Sequence, residues 1–163
     1  MTVSVNYTSK LETGETLPIA THLTTAANAV TAALTTTLVA QGAASSPACT
    51  KRGGADFALT AGAGTIDLTA LTGTNGVSVD GTGLRVQFAK FLNPATNGNP
   101  ITVKKGVTNG YDGFGAAFLI ILTPGAEAMI RLNDAGSDIG SSNKTIDLVG
   151  TLVQPLSYEI VVG

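Results

Sequence analysis

The clearest signal along the chain is alternation. Leu84, Val86 and Phe88 alternate with Arg85 and Gln87, a period of two that predicts a strand with one buried face. Phe91 then falls on the Arg85 side, so a bulge near Ala89 is expected to return it to the core. Asn93-Pro94 stops the strand, and Asn97-Gly98-Asn99-Pro100 is dense in turn residues. Ile101 and Val103 alternate with Thr102 and Lys104, which predicts a second strand, antiparallel to the first across a long hairpin loop.

Ala116 to Leu122 (AAFLIIL) is apolar at every position and is expected to be a central strand, with any face outside the core covered by another subunit. Thr123-Pro124-Gly125-Ala126 has Pro and Gly where a type II turn prefers them. The turn predicts a tight hairpin into a strand with Ala128, Ile130 and Leu132 on one face and Met129, Arg131 and Asn133 on the other. Tyr158, Ile160 and Val162 alternate with Glu159 and Val161 in a closing strand expected inside a sheet.

Thr-Ile-Asp-Leu is spelled twice, at 65–68 and 145–148. In each copy Ile and Leu are expected to point inward and Thr and Asp outward, on a short edge-compatible strand whose Asp discourages pairing with other chains. The two copies could be pseudo-symmetric strands of two sheets, and no flanking similarity marks a duplicated domain. The expected core comprises Ile66, Leu68, Leu84, Val86, Phe88, Ile101, Val103, Phe118, Ile120, Ile130, Leu132, Ile146, Leu148, Ile160 and Val162.

Residues 28–40 (NAVTAALTTTLVA) mix helix-favouring Ala with strand-favouring Val30 and a Thr35-Thr36-Thr37 run, and the Thr cluster tips the reading to strand. Residues 1–22 are expected to form an extended arm with a short strand at Val3 to Tyr7, either tucked into the chain's own sandwich or added to a neighbour's sheet edge. Together these segments predict an all-β chain of about eight to ten strands, an antiparallel β-sandwich with jelly-roll-like order, folded as one domain over residues 1–163.

Composition narrows the function. Charged residues are 12% of the chain against about 25% in ordinary domains, so hydroxyls, small side chains and backbone must cover much of the surface. A net charge of -2, with cations scattered apart from Lys51-Arg52 and Lys104-Lys105, argues against direct nucleic-acid binding. The first residues lack the basic and apolar regions of a signal peptide, and no apolar run approaches the roughly 20 residues of a membrane helix.

Candidate chemistry is sparse. His22 is the only histidine, no G-x-S-x-G elbow is present, and the single Cys49 sits in SSPACTKRGG, best read as a small buried residue. Gly81-Thr82-Gly83 leads into a strand instead of a helix, so it reads as a turn and not a phosphate cradle. Asn133, Asp134 and Asp138 cluster oxygens that could hold a hard cation, but without EF-hand spacing they read as loop turns. No carboxylate pair is singled out by spacing, and a chain with no Trp, three Tyr and five Phe is poorly supplied for stacking sugars. The expectation is a protein that is not an enzyme, with no catalytic or cofactor-binding residues and no bound metal or cofactor.

The run TIDLTALTGTNGVSVDGTGLRVQFAKFLNPATNGNPITV, followed by NGY, LTPGAE, LNDAGSDIG and a closing KTIDL and EIVVG, resembles a recurrent family of small tailed-bacteriophage structural proteins. The resemblance spans roughly Gly62 to Gly163. It implies a virion component repeated many times on the particle, and it carries over no catalytic residue. Two roles follow as expectations. One is a capsid decoration (cement) protein bound to the major capsid protein on the virion surface, after assembly in the host cytoplasm. The other is a tail or head-fibre adhesin for a host receptor or glycan. Low charge and the apolar run 116–122 further imply a homo-oligomer, with a trimer favoured.

Overall fold

The computed structural model describes residues 4–18, 27–41, 44, 48–73, 76–132 and 136–163, the first two spans by their strand pairing alone. Its strands in chain order are β1 (Ser4–Pro18), β2 (Ala27–Gln41), β3 (Lys51–Ala58), β4 (Ala63–Asp67), β5 (Leu71–Thr72), β6 (Ser78–Val79), β7 (Val86–Leu92), β8 (Ile101–Lys105), β9 (Leu119–Leu122), β10 (Glu127–Arg131), β11 (Thr145–Val149) and β12 (Pro155–Val162). The fold is all-β. Two four-stranded antiparallel sheets, ordered β10-β7-β12-β3 and β4-β11-β8-β9, enclose the core.

The pairings are nested: β8 with β9, β7 with β10, β4 with β11, and β3 with β12. A long ladder folded about the β8–β9 connection and rolled into two layers produces this order, which is the jelly roll. The ribbons β1-β2 and β5-β6 add strands beyond the eight of the roll, so the described residues hold twelve where eight to ten were expected.

The repeated tetrapeptide is part of the ladder. Its copies are not equivalent strands of two sheets; they are neighbours in one, with Ile146 opposite Ile66, Asp147 opposite Thr65 and Thr145 opposite Asp67. A Thr-x-Asp sequence run antiparallel against itself sets each Thr across from an Asp, and Thr65 Oγ1 donates to Asp147 Oδ1 at 2.9 Å. The copies differ in placement: β4 is at the edge, whereas β11 lies between β4 and β8. Thr145, expected outside, is buried because its hydroxyl donates to the Thr108 carbonyl of a loop folded over it.

The bulge in β7 falls at Gln87, not near Ala89, since Val162 faces Val86 and Val161 faces Phe88. Two residues on one strand then oppose a gap of one on the other, and the parity flips. Val86, Ala89 and Phe91 point into the core, while Phe88 moves to the opposite face, where it is buried beside Val161. Gln87 is itself buried, with Nε2 donating to the Gly163 carbonyl. Of the other expected core positions, Leu84, Phe118, Ile120, Ile130 and Leu132 are partly buried against the core, and the rest are fully buried. Alternation did not single out Leu59, Leu71, Tyr111, Ile139 and Leu156, which complete it.

Two expected hairpins are corners. β7 and β8 belong to opposite sheets, because the long turn-rich loop between them crosses the roughly 10 Å that separates packed sheets. The type II turn at 123–126 is present, with Gly125 at φ 81° and the Ala126 N–H donating to the Thr123 carbonyl at 2.9 Å, but it too joins strands of opposite sheets. β9 is an edge strand and not a central one. Leu119 and Ile121 are 55% and 61% exposed on its outer side. An all-apolar run says nothing about which position in the sheet its strand occupies.

The strand expected over 28–40 is β2. The arm's strand runs well past Tyr7 and pairs with β2 in the same chain, from Ser4 opposite Gln41 to Pro18 opposite Ala27. It joins neither four-stranded sheet.

Because the bulge makes Phe91 a core residue with no exposed surface, Phe91→Ala is expected to cost about 3–5 kcal/mol in a urea unfolding curve. A loss below about 0.5 kcal/mol would mean that Phe91 does not face the core.

Candidate functional site

The registers put the connections 59–62, 93–100, 123–126 and 150–154 at one end of the roll, and 68–85, 106–118 and 132–144 at the other. The two ends differ in chemistry.

At the second end the chain concentrates charge and rings. Arg85 Nε meets Asp138 Oδ1 at 2.6 Å, and Asn143 donates to the Asp138 carbonyl and accepts from the Asp112 N–H. Tyr111 is fully buried; its hydroxyl donates to the Ser137 carbonyl and accepts from the Val86 N–H, and burial pushes its phenol up from the ordinary value. Phe114 packs between Tyr111, Phe91 and Phe118. Lys144 Nζ holds Asp67 at 2.7 Å. Burial raises the Asp67 carboxyl, but hydrogen bonds from Lys144 and Thr69 outweigh it, so the net shift is downward.

The outer face of the β10-β7-β12-β3 sheet carries a cross-strand row of alternating sign. Arg52 pairs with Glu159, Glu159 stands opposite Lys90, and Lys90 pairs with Glu127. The hydrogen bond from Arg52 holds Glu159 below its ordinary value of 4.5. These are structural uses of carboxylates. Asp147 likewise accepts from Thr65 and from the Val107 N–H, and Asp80 from Thr82. Among the described residues no three His, Cys, Asp or Glu converge as a metal site.

Of the sequence candidates, Cys49 is buried, and Asp138 is engaged by Arg85. Asn133 and Asp134 lie outside the described residues, as does His22. Gly81-Thr82-Gly83 is a turn, pinned by the Asp80 carboxylate on the Thr82 N–H and hydroxyl.

The first end is the opposite case. Its four connections, 59–62, 93–100, 123–126 and 150–154, contain no charged and no aromatic residue. Three buried amides lock them together. Asn93 donates to the carbonyls of Leu122 and Asn99, and Asn97 donates to Asn93 Oδ1 and the Pro155 carbonyl. Gln154 donates to the Asn99 carbonyl and accepts from the Thr151 N–H. Backbone bonds add Gly62 N–H to Leu152 O and Gly125 N–H to Asn93 O, at 2.7 and 2.8 Å. Buried amides satisfied in this way hold a loop in one geometry, since breaking any bond strands a polar group away from water. In the sequence Asn93 and Asn97 looked like turn residues only; nothing in a local pattern separates a turn Asn from one that bridges two loops.

On this frame Leu152 has φ 56°, a left-handed backbone suited to Gly or Asn, and is 74% exposed, as is Val153. A bulky side chain in a strained conformation, pointing at solvent, adds little to its own core.

Replacing Asn93 with Ala removes one of the two acceptors of the Asn97 amide and the donor to the Leu122 carbonyl, so it is expected to destabilise by about 1–3 kcal/mol and to open residues 93–100 to protease. Acid should also weaken the fold. Asp67 and Glu159 have depressed folded values, so their contribution is present above their ordinary values, 3.8 and 4.5, and is lost as pH falls through the folded ones. Melting temperature is therefore expected to drop below about pH 4.5, and Glu159→Gln to flatten part of that drop. Compared with known proteins, the chain matches no family model, no curated protein and no solved structure.

Proposed function

We propose that this protein is a structural component of a tailed-bacteriophage virion, a decoration protein that assembles with itself, as a trimer by preference, and seats on the major capsid protein to stiffen the head. The observation that carries this reading is how the jelly roll divides its side chains. The ionisable groups with assigned partners tie strands and loops to one another, while large aliphatic residues such as Leu119, Ile121, Leu152 and Val153 are left exposed. Uncharged exposed surface of this kind is what contact with other protein subunits uses. Jelly rolls recur among viral capsid domains and also among lectins, an analogy of fold that supports the reading without assigning it. The lectin-like alternative, an adhesin, is less well supplied, because the four loops at the uncharged end offer no aromatic ring for a sugar to stack on.

In this role the protein is not an enzyme and needs no cofactor. Copy number tests it. A stained gel of purified virions is expected to show the 16.3 kDa band near the stoichiometry of the major capsid protein. A faint band of a few copies would favour the adhesin, and absence from the virion would overturn both.

A further inference from the structure

Several exposed aliphatic residues fall into one place. In the β4-β11-β8-β9 sheet, the outward row nearest the uncharged end is Ala63, Val149, Thr102 and Ile121, placed side by side by the strand registers. Ile121 is 61% and Val149 43% exposed. The loop bearing Leu152 and Val153 is bonded to Gly62, next to Ala63, through Gly62 N–H to Leu152 O and Gly150 N–H to Gly62 O. The row and the loop tip therefore form a continuous uncharged surface. Charge begins only one row further along the sheet, with Asp147 and Lys104.

We infer that this corner of the roll, centred on Leu152 and Val153 and extended by Val149 and Ile121, is the surface through which the protein binds a second copy of itself. It names the interface for the self-assembly part of the functional proposal and stands apart from the virion role. The choice of occupant follows from charge. A surface with no net sign meets its own copy without like charges being driven together, which is the usual obstacle to self-pairing. An anionic lipid surface would call for Lys or Arg around the apolar tips, and these loops contain neither. The surface also continues to the free edge of β9, whose outer backbone groups can extend a ladder into a neighbouring chain.

Leu152 adds an independent mark. Its backbone would be more comfortable with Asn or Gly, and with the side chain 74% exposed the fold of one chain gains little from Leu there. Contact with a neighbour supplies the missing reason. The amide lock of Asn93, Asn97 and Gln154 holds the tip in place beforehand, which reduces the ordering cost of association.

The test is sedimentation equilibrium of the full chain and of two variants, with melting temperatures recorded alongside. The wild type is expected to associate at micromolar concentration, and to do so equally at about 0.1 M and about 1 M salt, where the screening length falls from about 10 to about 3 Å. The double variant Leu152→Asn, Val153→Thr is expected to associate about tenfold more weakly or not at all. Its melting temperature as a monomer should be unchanged or higher, because Asn suits the left-handed backbone. Val107→Thr is the control: Val107 is 84% exposed but belongs to the opposite end, and its loss should leave association intact. A wild type that stays monomeric at about 100 µM, a double variant that associates like the wild type, or a Val107→Thr variant equally impaired would each overturn the assignment. Self-association without any band in the virion would leave this interface standing and remove the virion role alone.

Discussion

Ile66 and Ile146 face each other across the β4–β11 ladder, and the register of the whole roll depends on that pairing. Side chains in a strand alternate faces, so a slip of β11 by one residue against β4 would turn Ile146 and Leu148 out of the core while Ile66 stayed. The paired Thr-x-Asp segments oppose such a slip from the other side, since only this register sets Thr65 across from Asp147. Once β4 and β11 are aligned, the connection from β3 to β4 and that from β11 to β12 meet at the same end, which brings β3 beside β12 in turn. The nested order is thus propagated outward from one ladder and inward to β8 and β9.

The Gln87 bulge is the second device on which the core relies. Without it Phe88 would share the inner face with Val86, and Phe91 would point away from Tyr111 and Phe114, which it helps to enclose. One inserted residue exchanges one Phe for another at the core, and the ring cluster at the charged end forms around the one that enters. The carboxylates Asp67, Asp138, Asp147 and Glu159 are committed to ion pairs or hydrogen bonds that hold elements in place. A chain with so few charges that uses them in this way leaves the loops around Leu152 with none.

Much of this was legible in advance. Period-two patterns at 84–88, 101–104, 128–132 and 158–162 are real strands or their extensions, and 28–40 is a strand despite its Ala content. The turn at 123–126 was identifiable from Pro and Gly alone. The uncharged loops were also there to be counted, yet nothing showed that four stretches so far apart in sequence share one end of the molecule. The amides that lock them were indistinguishable from ordinary turn residues.

The amino-acid sequence by itself therefore determined which segments are strands, which faces of most of them are apolar, and where the chain turns, because those are properties of a few consecutive residues. Tertiary structure decided which strands are neighbours, which run is at an edge, and which exposed residues gather at one corner. Local pattern cannot distinguish a hairpin from a corner: both need the same Pro-Gly turn, and only packing of one sheet on the other selects between them. It cannot locate a bulge within a strand either, since alternation broken at Phe88 is compatible with an extra residue at Gln87 or at Ala89. The choice falls to the partner strand, where Val162 faces Val86 and Val161 faces Phe88, so that Gln87 is the extra residue and Phe88 leaves the inner face.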